Sequence, residues 1–465
     1  MMRSHYHFIG VGGIGVGMLA SLILSKGHTV SGSDIIENAM TRSLREQGAH
    51  IHIGHHPDAV AGADFVVFSS AIRPDNPELV AARQQGIRIL KRAELLAELM
   101  KEQLSIAVAG AHGKTTTTSM IANLLISVDR HPTVALGGIF KNGSYQACMG
   151  DGHYFVAEVD ESDGSFLFFH PRYSVITNMD REHLDYYKNW DRIRLTFKQY
   201  MTQTDPQGML IVCGDDRALR ELAQESGRPL MTYGFSQDND VWASHVRFQG
   251  CSSKFDYFLK NGWKGTIQLL LPGRHNVLNA LACLCVGKCL DLDMEQIEES
   301  FRFFQGVDRR FQIKGRVDGI VVADDYGHHP TEIMATIQAA QALDKKRMIV
   351  VFQPHRYSRT RALEEEFVKC LSVCDYLIVT DIYAASETPL KNVSAESLAN
   401  KIPRTQGQKI FYVKKDAIVS HLLQNARSGD LVLTLGAGDI YRVGEEFLTV
   451  RAEHPVSPNA KDSSS

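Results

Sequence analysis

The stretch Ser105-Ile-Ala-Val-Ala-Gly-Ala-His-Gly-Lys-Thr-Thr-Thr-Thr118 joins an apolar run to a glycine-rich turn that carries a lysine and several threonines. The apolar run predicts a buried strand, and the residues from Thr115 to Ile126 predict a helix. Backbone amides of such a turn and the positive end of the helix converge on phosphate groups. We therefore expect a nucleoside triphosphate at residues 110–116, with Lys114 at its terminal phosphates.

A second glycine-rich turn, Gly10-Val-Gly-Gly-Ile-Gly15, carries no lysine. It follows a predicted strand, His5–Val11, and opens a predicted helix, Gly13–Ser25. The turn matches the dinucleotide fingerprint G-x-G-x-x-G, and Asp34 stands at the end of the next predicted strand. By itself this pattern favours NAD, so an NAD-dependent oxidoreductase is one interpretation of the chain.

Length and composition restrict the class of protein. The chain has 465 residues, a net charge of −3 and 44% hydrophobic residues, which is ordinary for a globular protein and allows three domains of roughly 150 residues each. It lacks the basic excess of nucleic-acid-binding proteins, a signal peptide, and an apolar run of the roughly 20 residues that a membrane span needs. We expect a cytoplasmic protein with small-molecule partners, reduced core cysteines, no nucleic acid and no membrane insertion. The sequence makes no prediction of the oligomeric state.

Strand-like and helical stretches alternate along the chain, which predicts an α/β fold with parallel sheets. The third block of the pattern begins after Asp308-Arg-Arg-Phe311, with strands predicted at Gly319–Ala323, Arg347–Phe352, Tyr376–Thr380 and Leu431–Leu435. The predicted divisions are a Rossmann-like domain at 1–103, a central P-loop ATPase-like parallel-sheet domain at 104–308, a Rossmann-like α/β domain at 309–451 and a disordered tail at 452–465.

Acidic residues follow two further strands of the predicted central domain. The cluster Glu158-Val-Asp-Glu-Ser-Asp163 comes after the strand Tyr154–Ala157, and His183 lies shortly after the strand Ser174–Thr177. Carboxylates at the carboxyl end of a strand, in the same domain as a phosphate loop, are placed where Mg²⁺ needs oxygen ligands. A solvated acidic turn is the alternative for the cluster.

Five ordered motifs resemble those of the Mur ligase family. They are G-x-x-G-K-T-T at 110–116, A-E-x-D-E-S-D at 157–163, T-N-x-x-x-E-H-L-D at 177–185, P-G-x-H-N at 272–276 and D-Y-x-H-H-P-T at 325–331. Three other stretches resemble the family members that join L-alanine to UDP-N-acetylmuramate: Gly32-Ser-Asp34, Pro354-His-Arg-Tyr-Ser-Arg-Thr360 and Thr380-Asp-Ile-Tyr-Ala384. The resemblance spans residues 5 to about 445.

The resemblance implies three domains and an ATP-dependent amide ligation in peptidoglycan precursor synthesis. ATP would phosphorylate the carboxylate of UDP-N-acetylmuramate, and the amine of L-alanine would displace phosphate from the acyl phosphate, so that ADP and phosphate are released. The first glycine loop would then hold the UDP part of the substrate instead of NAD, because the same amides bind a diphosphate.

The resemblance also assigns individual residues. ATP would be held by Gly110, Ala111, His112, Gly113, Lys114, Thr115, Thr116, His275, Asn279 and Arg310. Thr115 and Glu158 would be ligands of the Mg²⁺ on the ATP side, and His183 would be a ligand of a second ion near the substrate carboxylate. The residues implied in catalysis are Lys114, His183, Asp325, His328 and His329. The UDP-linked substrate would contact Gly12, Gly15, Ser33, Asp34, Ser69, Ser70 and Ala71, and carboxylate binding by His355, Arg356 and Arg359 is implied for the substrate or the amino acid.

Other interpretations remain at this point. Polar capping of a helix would explain His275 and Asn279 without ATP, and a solvated basic linker would explain Arg310. A P-loop switch that hydrolyses nucleotide only to change shape and a sister ligase that attaches a tripeptide to UDP-N-acetylmuramate are competing functions. The family pattern has threonine where Ala111 stands, and we do not predict that Lys198 is the carbamylated lysine of some relatives.

Overall fold

The computed structural model describes residues 3–69, 71–136, 147–148, 150–262, 264–385 and 387–453. Ser70, predicted in the UDP site, and the predicted tail from residue 454 onward lie outside these ranges. The contacts divide the chain into two compact units, one drawn mainly from the residues up to 307 and the other mainly from residue 308 onward.

The first unit begins with a five-stranded sheet in the order β3-β2-β1-β4-β5, whose strands pair in parallel. Its elements are β1 His5–Ile9, α1 Ile14–Ser25, β2 Thr29–Asp34, α2 Ala39–Glu46, β3 His50–Ile53, β4 Phe65–Phe68, α3 Pro77–Gln84, β5 Arg88–Lys91 and α4 Arg92–Met100, with a 3₁₀ helix at Pro57–Val60. Because β2 and β4 flank β1, the strand order reverses at the carboxyl end of β1. The first glycine loop lies at this switch point, where α/β sheets bind ligands.

The second sheet has ten strands in the order β15-β14-β13-β12-β11-β10-β6-β9-β7-β8. Its elements begin with β6 Leu104–Ala109, α5 Lys114–Ser127, β7 Thr133–Ala135, β8 Ala147–Cys148, β9 Tyr154–Glu158, β10 Tyr173–Ile176, α6 Leu184–Tyr187 and α7 Trp190–Thr202. They continue with β11 Met209–Cys213, α8 Arg217–Glu225, β12 Leu230–Gly234, β13 Val241–Gln249, β14 Ser252–Leu259, β15 Lys264–Leu269, α9 Arg274–Cys289 and α10 Met294–Arg302, and include a 3₁₀ helix at Ser165–Phe168.

Strand β6 lies between β10 and β9 and pairs with both in parallel. Its residues from Ile106 to Ala109 are fully buried, as expected of an apolar strand at the centre of a covered sheet. The lysine loop therefore leaves the sheet between the ends of the two strands that carry the acidic cluster and the segment leading to His183.

The second unit contains a six-stranded sheet in the order β16-β17-β21-β18-β19-β20. Its elements are β16 Gln312–Val317, β17 Ile320–Asp325, α11 Pro330–Gln341, β18 Arg347–Phe352, α12 Tyr357–Ala362, α13 Glu364–Leu371, β19 Tyr376–Val379, α14 Ala395–Lys401, β20 Lys409–Tyr412, α15 Ile418–Asn425, β21 Asp430–Leu435 and α16 Tyr441–Glu453, with a 3₁₀ helix at Lys415–Ala417. Strand β16 is antiparallel to β17, and the pairs β17–β21, β21–β18, β18–β19 and β19–β20 are parallel.

The predicted α/β class with parallel-rich sheets is confirmed. The sequence analysis did not predict the strands β13 to β15 or the antiparallel strand β16. Burial alternates along β13 and β14, and the residues of β16 are at most partly buried, so these strands are less apolar than the central strands. The domain boundaries at 103 and 308 stay predictions. All seven cysteines whose side chains are described are free thiols. No helix among the described residues is both long and apolar enough to cross a membrane.

Candidate active site

The lysine loop has the backbone shape that its glycines predict. Gly110 has a φ of 123° and Gly113 a φ of 79°, both in the region that favours glycine. A Cβ added at Gly110 would lie 2.3 Å from the Thr177 hydroxyl oxygen. Helix α5 begins at Lys114, directly after this loop, so its amino-terminal amides face the space that the loop encloses.

Lys114 bridges its own loop to the acidic cluster. Its Nζ donates to the carbonyl oxygens of Gly110 at 2.5 Å and Ala111 at 3.2 Å, and lies 2.9 Å from Glu161 Oε2. Burial alone would lower the pKa of Lys114, but the carboxylates of Glu161, Asp160 and Glu158 outweigh it and raise that pKa. The lysine is therefore held as a cation.

The loop is held in place by residues that follow β10. Asn178 Oδ1 accepts from the His112 amide at 2.8 Å, and Asn178 Nδ2 donates to the His112 carbonyl at 3.0 Å. Thr177 donates to the same carbonyl at 2.6 Å, and the His112 ring lies 2.8 Å from Asp180. Asn178 thus acts as a neutral clamp on the loop, which the sequence reading did not recognise.

Two sets of side chains suit divalent cations. The Thr115 hydroxyl donates to Glu158 Oε1 at 3.1 Å, so a hydroxyl and a carboxylate oxygen already lie side by side, which is the donor set that Mg²⁺ prefers. Ligand atoms of Glu161, Glu182 and His183 all lie within 4.8 Å of one another. The residues therefore fit the predicted metals, with Glu161 and Glu182 as candidates that the sequence reading did not include.

Helix α9 brings Asn279 to the lysine loop. Thr117 donates to Asn279 Oδ1 at 3.1 Å, and a Cβ at Gly113 would lie 2.6 Å from the same oxygen. Thr116 is buried beside them on α5. The structure therefore brings the predicted ATP residues Asn279 and Gly113 together, although they lie far apart in the sequence.

The first glycine loop is held by the end of the neighbouring strand β2. The Ser33 carbonyl accepts from the amides of Gly10 and Val11, at 2.8 and 3.0 Å. Asp34 Oδ2 accepts from the Gly12 amide at 2.8 Å, and Asn38 donates to the Gly12 carbonyl at 3.0 Å. In this arrangement the Gly12 amide is already bound, so the amides that remain for an anion are those where α1 begins.

A cation lies at that helix start. A Cβ added at Gly15 would be 3.0 Å from Arg92 Nη1. Burial raises the pKa of Asp160, but the charge of Lys114, with a smaller contribution from Arg92, outweighs burial and lowers that pKa. Of the other predicted residues of this region, Ser69 accepts from the Ile72 amide at 3.0 Å and Ala71 is exposed. Arg92 was not predicted, because a lone arginine at the start of a helix carries no motif.

In the second unit, predicted residues cluster after β17. Asp325 accepts from the amides of Phe311 at 2.8 Å and Gly327 at 2.7 Å, and burial raises the pKa of its carboxyl to about 6. His328 lies 3.5 Å from Glu332, which lies 3.5 Å from Arg310. Burial lowers the pKa of His328 to about 3, so this imidazole is neutral. Glu332 is a member of the cluster that the sequence reading missed.

Two more predicted histidines of this unit are kept neutral. Burial, with help from Arg310, lowers the pKa of His275 to about 4. Burial and Arg359 lower the pKa of His355 to about 4. The third histidine, His329, caps α11, where its Nδ1 accepts from the Thr331 amide at 3.4 Å.

An aromatic ring supports the predicted carboxylate-binding residues. His355 stacks on Tyr383 with ring centroids 5.5 Å apart, and Arg359 Nη1 lies 3.2 Å from His355 Nδ1. Arg356 has a φ of 70°, and its amide donates to the Tyr383 carbonyl at 2.8 Å. His355 and Arg359 are therefore neighbours, and the exposed Arg356 directly precedes α12.

Comparison with protein families assigns most of the chain to models of one family. "Mur ligase family, catalytic domain" matches residues 5–104, "Mur ligase middle domain" matches 108–287, and "Mur ligase, glutamate ligase domain" matches 309–438.

Individual proteins match over nearly the whole length. A UDP-N-acetylmuramate–L-alanine ligase from Geobacter sulfurreducens is 45% identical over 445 residues, which cover 95% of this chain and 96% of that protein. One from Syntrophobacter fumaroxidans is 45% identical over 447 residues, covering 96% and 95%. The crystal structure of a Thermotoga maritima UDP-N-acetylmuramate-alanine ligase superposes with a TM-score of 0.82 at 30% identity, covering 97% of this chain and 100% of that one.

Proposed function

Since this chain belongs to the Mur ligase family, we propose that it joins L-alanine to the carboxylate of UDP-N-acetylmuramate with the hydrolysis of ATP to ADP and phosphate. The product is a precursor of peptidoglycan. An NAD-dependent oxidoreductase does not account for the structure, because it would leave the lysine loop and its acidic neighbours without a role. The likeness to a murein peptide ligase, at 22% identity, shows the fold alone and does not favour the tripeptide reaction.

One observation carries the proposal. A single compact unit holds two phosphate-type glycine loops, and only one of them combines a partly buried lysine with carboxylates and a hydroxyl suited to Mg²⁺. A ligase that activates a UDP-linked carboxylate with ATP needs two anion sites of this unequal kind, since only the triphosphate must transfer a phosphoryl group.

The chemistry explains why the lysine is needed. A carboxylate resists attack by an amine until one oxygen becomes part of a leaving group, which phosphorylation achieves. Transfer of a phosphoryl group between anions requires concentrated positive charge. Lys114 and the amino end of α5 supply it from the chain, and Thr115, Glu158 and His183 would hold Mg²⁺. The bound metal would add charge neutralisation at the phosphate oxygens.

Lys114 is in a resting arrangement with the loop carbonyls and Glu161. On nucleotide binding, its three N–H donors exchange some of these partners for phosphate oxygens. His112, Asn178 and Asp180 keep the loop in shape, and Asn279 contacts the same loop from α9. The role of each of these residues toward ATP is part of the proposal.

The first glycine loop would bind the diphosphate of the UDP-sugar. The amides at the start of α1 and the guanidinium of Arg92 supply a local excess of positive charge without a lysine in the loop. Gly12, Ser33 and Asp34 would shape this site, Gly15 would let the diphosphate approach the helix start, and Ser69 and Ala71 would line it.

The second unit would supply the groups for the amino acid. Arg356 and Arg359 are suited to the carboxylate of L-alanine, because a guanidinium binds a carboxylate with two parallel hydrogen bonds. Asp325, with its raised pKa, the neutral His328, and also His329 are the candidates for accepting or orienting the proton of the amine. His275 and Arg310 would contact ATP. Three domains, at 1–103, 104–308 and 309–451, and a cytoplasmic location, where ATP and UDP-sugars are available, complete the proposal.

A phosphate-release assay tests the function. The protein is given ATP, Mg²⁺ and UDP-N-acetylmuramate with L-alanine, glycine, L-serine or an L-alanine-containing tripeptide, and the products are identified by mass. We expect release that requires both the sugar nucleotide and L-alanine. Release without either substrate would contradict a ligase and favour a nucleotide switch, and turnover only with the tripeptide would assign the sister reaction.

A further inference from the structure

A fully buried carboxylate lies beside the first glycine loop. Glu78, near the start of α3, is 0% exposed. Its Oε2 accepts from the Ser33 hydroxyl at 2.5 Å and lies 3.3 Å from His7 Nε2 and 3.5 Å from His55 Nδ1. Its Oε1 accepts from the His56 amide at 3.1 Å. Four groups from three separate segments therefore converge on one side chain.

This carboxylate has no strong cation to compensate it. Among the described residues, the ion pairs recorded for Glu78 are both with histidines, His7 and His55. Burying an ionised carboxylate costs several kcal/mol unless hydrogen bonds and charges offset the loss of water. Burial raises the pKa of Glu78, but the bonds from His7 and Ser33 outweigh it and lower that pKa, so the group is a carboxylate. A merely space-filling role would be served at lower cost by an apolar side chain.

Ser33 links this cluster to the loop. Its hydroxyl donates to Glu78, so the His55 Nδ1–H donates to the Ser33 oxygen at 2.9 Å. Its backbone carbonyl accepts from the amides of Gly10 and Val11, where the glycine loop begins. Ser33 is itself 0% exposed, so its side chain reaches the cluster and not a ligand. The next residue, Asp34, holds the Gly12 amide.

We propose that Glu78 is a positioning residue for the UDP-sugar: with His7, His55 and Ser33 it locks the end of β2, and through that strand end it sets the shape of the first glycine loop. The proposal rests on the function proposed above, which places the diphosphate at this loop. Glu78 touches no reacting atom, so its loss weakens UDP-sugar binding and leaves ATP binding and the chemical step in place.

The variant Glu78→Gln tests this with little change of shape. Every group that hydrogen-bonds the carboxylate is a donor: the Ser33 hydroxyl, the His7 Nε2–H and the His56 amide. Whichever way the carboxamide is turned, its NH₂ group faces a donor, so part of the cluster must rearrange. We expect the Kd and KM for UDP-N-acetylmuramate to rise about tenfold, a change of about 1.4 kcal/mol. The KM for ATP and kcat at saturation should stay within about twofold.

Glu98→Gln is the matched control. Glu98 lies on α4, the helix that follows the last strand of the same five-stranded sheet. Unlike Glu78, it is 43% exposed and pairs with Arg88 at the surface. It should leave all constants unchanged. If Glu78→Gln fails to fold, Ser33→Ala carries the test, because it keeps Glu78 and both histidines and removes only the hydroxyl link. It should raise the Kd for the UDP-sugar at least threefold, with ATP affinity unchanged.

The outcomes separate the two proposals. Equal UDP-sugar affinity in the wild type and in the folded variants overturns the positioning role alone. A parallel loss of UDP-sugar and ATP affinity overturns it too, since that is the result of general destabilisation. If the wild type and Glu98→Gln fail to bind UDP-N-acetylmuramate at all, the proposed function fails and the positioning role fails with it.

Discussion

The two glycine loops are held by the same device with different chemistry. In each, a side chain at or just after the carboxyl end of the neighbouring strand accepts a hydrogen bond from a loop amide at 2.8 Å. The acceptor is the carboxylate of Asp34 for the first loop and the neutral amide of Asn178 for the lysine loop. Holding a glycine-rich loop thus requires an acceptor at this position, but the charge of that acceptor differs.

The difference follows the charge that each loop is proposed to bind. A carboxylate near a triphosphate would repel it, and the repulsion grows in a site that excludes water. A neutral amide avoids this at the position that holds the loop, while Lys114 of the loop pairs with Glu161 of the acidic cluster. The first loop, proposed to bind a less highly charged diphosphate, tolerates Asp34 and has Arg92 nearby as a cation.

Removing the lysine should separate the two loops most strongly. We expect Lys114→Ala to lower kcat about 1,000-fold, because it deletes a positive charge needed in phosphoryl transfer. The Kd for UDP-N-acetylmuramate, measured by calorimetry, should stay within about twofold. Lys260→Ala is the control, since Lys260 pairs at the surface with Asp240. Equal loss of UDP-sugar binding and turnover in Lys114→Ala would show that the loops do not serve separate ligands.

A second change tests the metal-binding edge of the lysine loop. Glu158→Gln keeps the hydrogen bond with Thr115 possible but removes a charge that Mg²⁺ would need. We expect kcat to fall about 100-fold at ordinary Mg²⁺ and to recover partly as Mg²⁺ is raised, which a titration of activity against Mg²⁺ measures. Glu225→Gln, at a surface pair with Lys198, should have no effect. An unchanged Mg²⁺ dependence in Glu158→Gln would remove Glu158 from the metal site.

Features of the two loops that depend on neighbouring residues could be predicted from the sequence, and features that depend on distant residues could not. The shapes of both loops follow from local glycine chemistry, and the structure agrees at Gly110 and Gly113. The holding role of Asn178 could not be predicted, because Asn178 acts on a residue 66 positions away, and the motif at 177–185 in which it stands does not show that pairing. Glu78 was missed for the same reason, being 71 positions from His7. Such pairings are decided by which strands become neighbours.

The pairing of Lys114 with Glu161 shows the intermediate case. Both residues stand in motifs that the sequence reading singled out, so their presence at the site was expected. Their 2.9 Å contact was not, because it depends on β6 and β9 lying side by side. A motif therefore identifies the residues that carry the chemistry, whereas the residue that pairs with each of them is known only from the fold.

Glycine substitutions in the two loops should also distinguish their ligands, with smaller effects than the loss of Lys114 or of the Glu158 charge. In Gly110→Ala a Cβ would lie 2.3 Å from the Thr177 hydroxyl in a backbone region unfavourable to alanine, so we expect the Kd for ATP to rise at least about 30-fold. In Gly12→Ala the Cβ would lie 2.8 Å from the side chains of Asn38 and Asp34, which can move, and the UDP-sugar Kd should rise about tenfold.

Gly27→Ala controls for backbone strain. Gly27 also has a positive φ, of 83°, but an added Cβ there has nothing within 4 Å. It should lower the midpoint of thermal unfolding slightly and change neither Kd. If Gly110→Ala and Gly12→Ala each weakened both ligands equally, the loops could not be assigned to separate sites.

Changing the charge of the two side chains that hold the loops, Asn178 and Asp34, should have the smallest effect on ligand affinity. It tests most directly whether the charge of the acceptor matters. Asn178→Asp keeps an acceptor for the His112 amide, loses the donor to the His112 carbonyl and places a carboxylate near the proposed triphosphate, so the Kd for ATP should rise about tenfold. The part of the rise that comes from charge repulsion should shrink at high salt, and the part that comes from the lost hydrogen bond should not. Asp34→Asn keeps an acceptor for Gly12 and removes a carboxylate near the proposed diphosphate. Loss of a charge-assisted bond and relief of repulsion oppose each other there, so the UDP-sugar Kd should change by less than about threefold. If Asp34→Asn weakened UDP-sugar binding as much as Asn178→Asp weakened ATP binding, Asp34 would be a direct ligand of the sugar nucleotide and the loops would differ in more than the charge of their clamps.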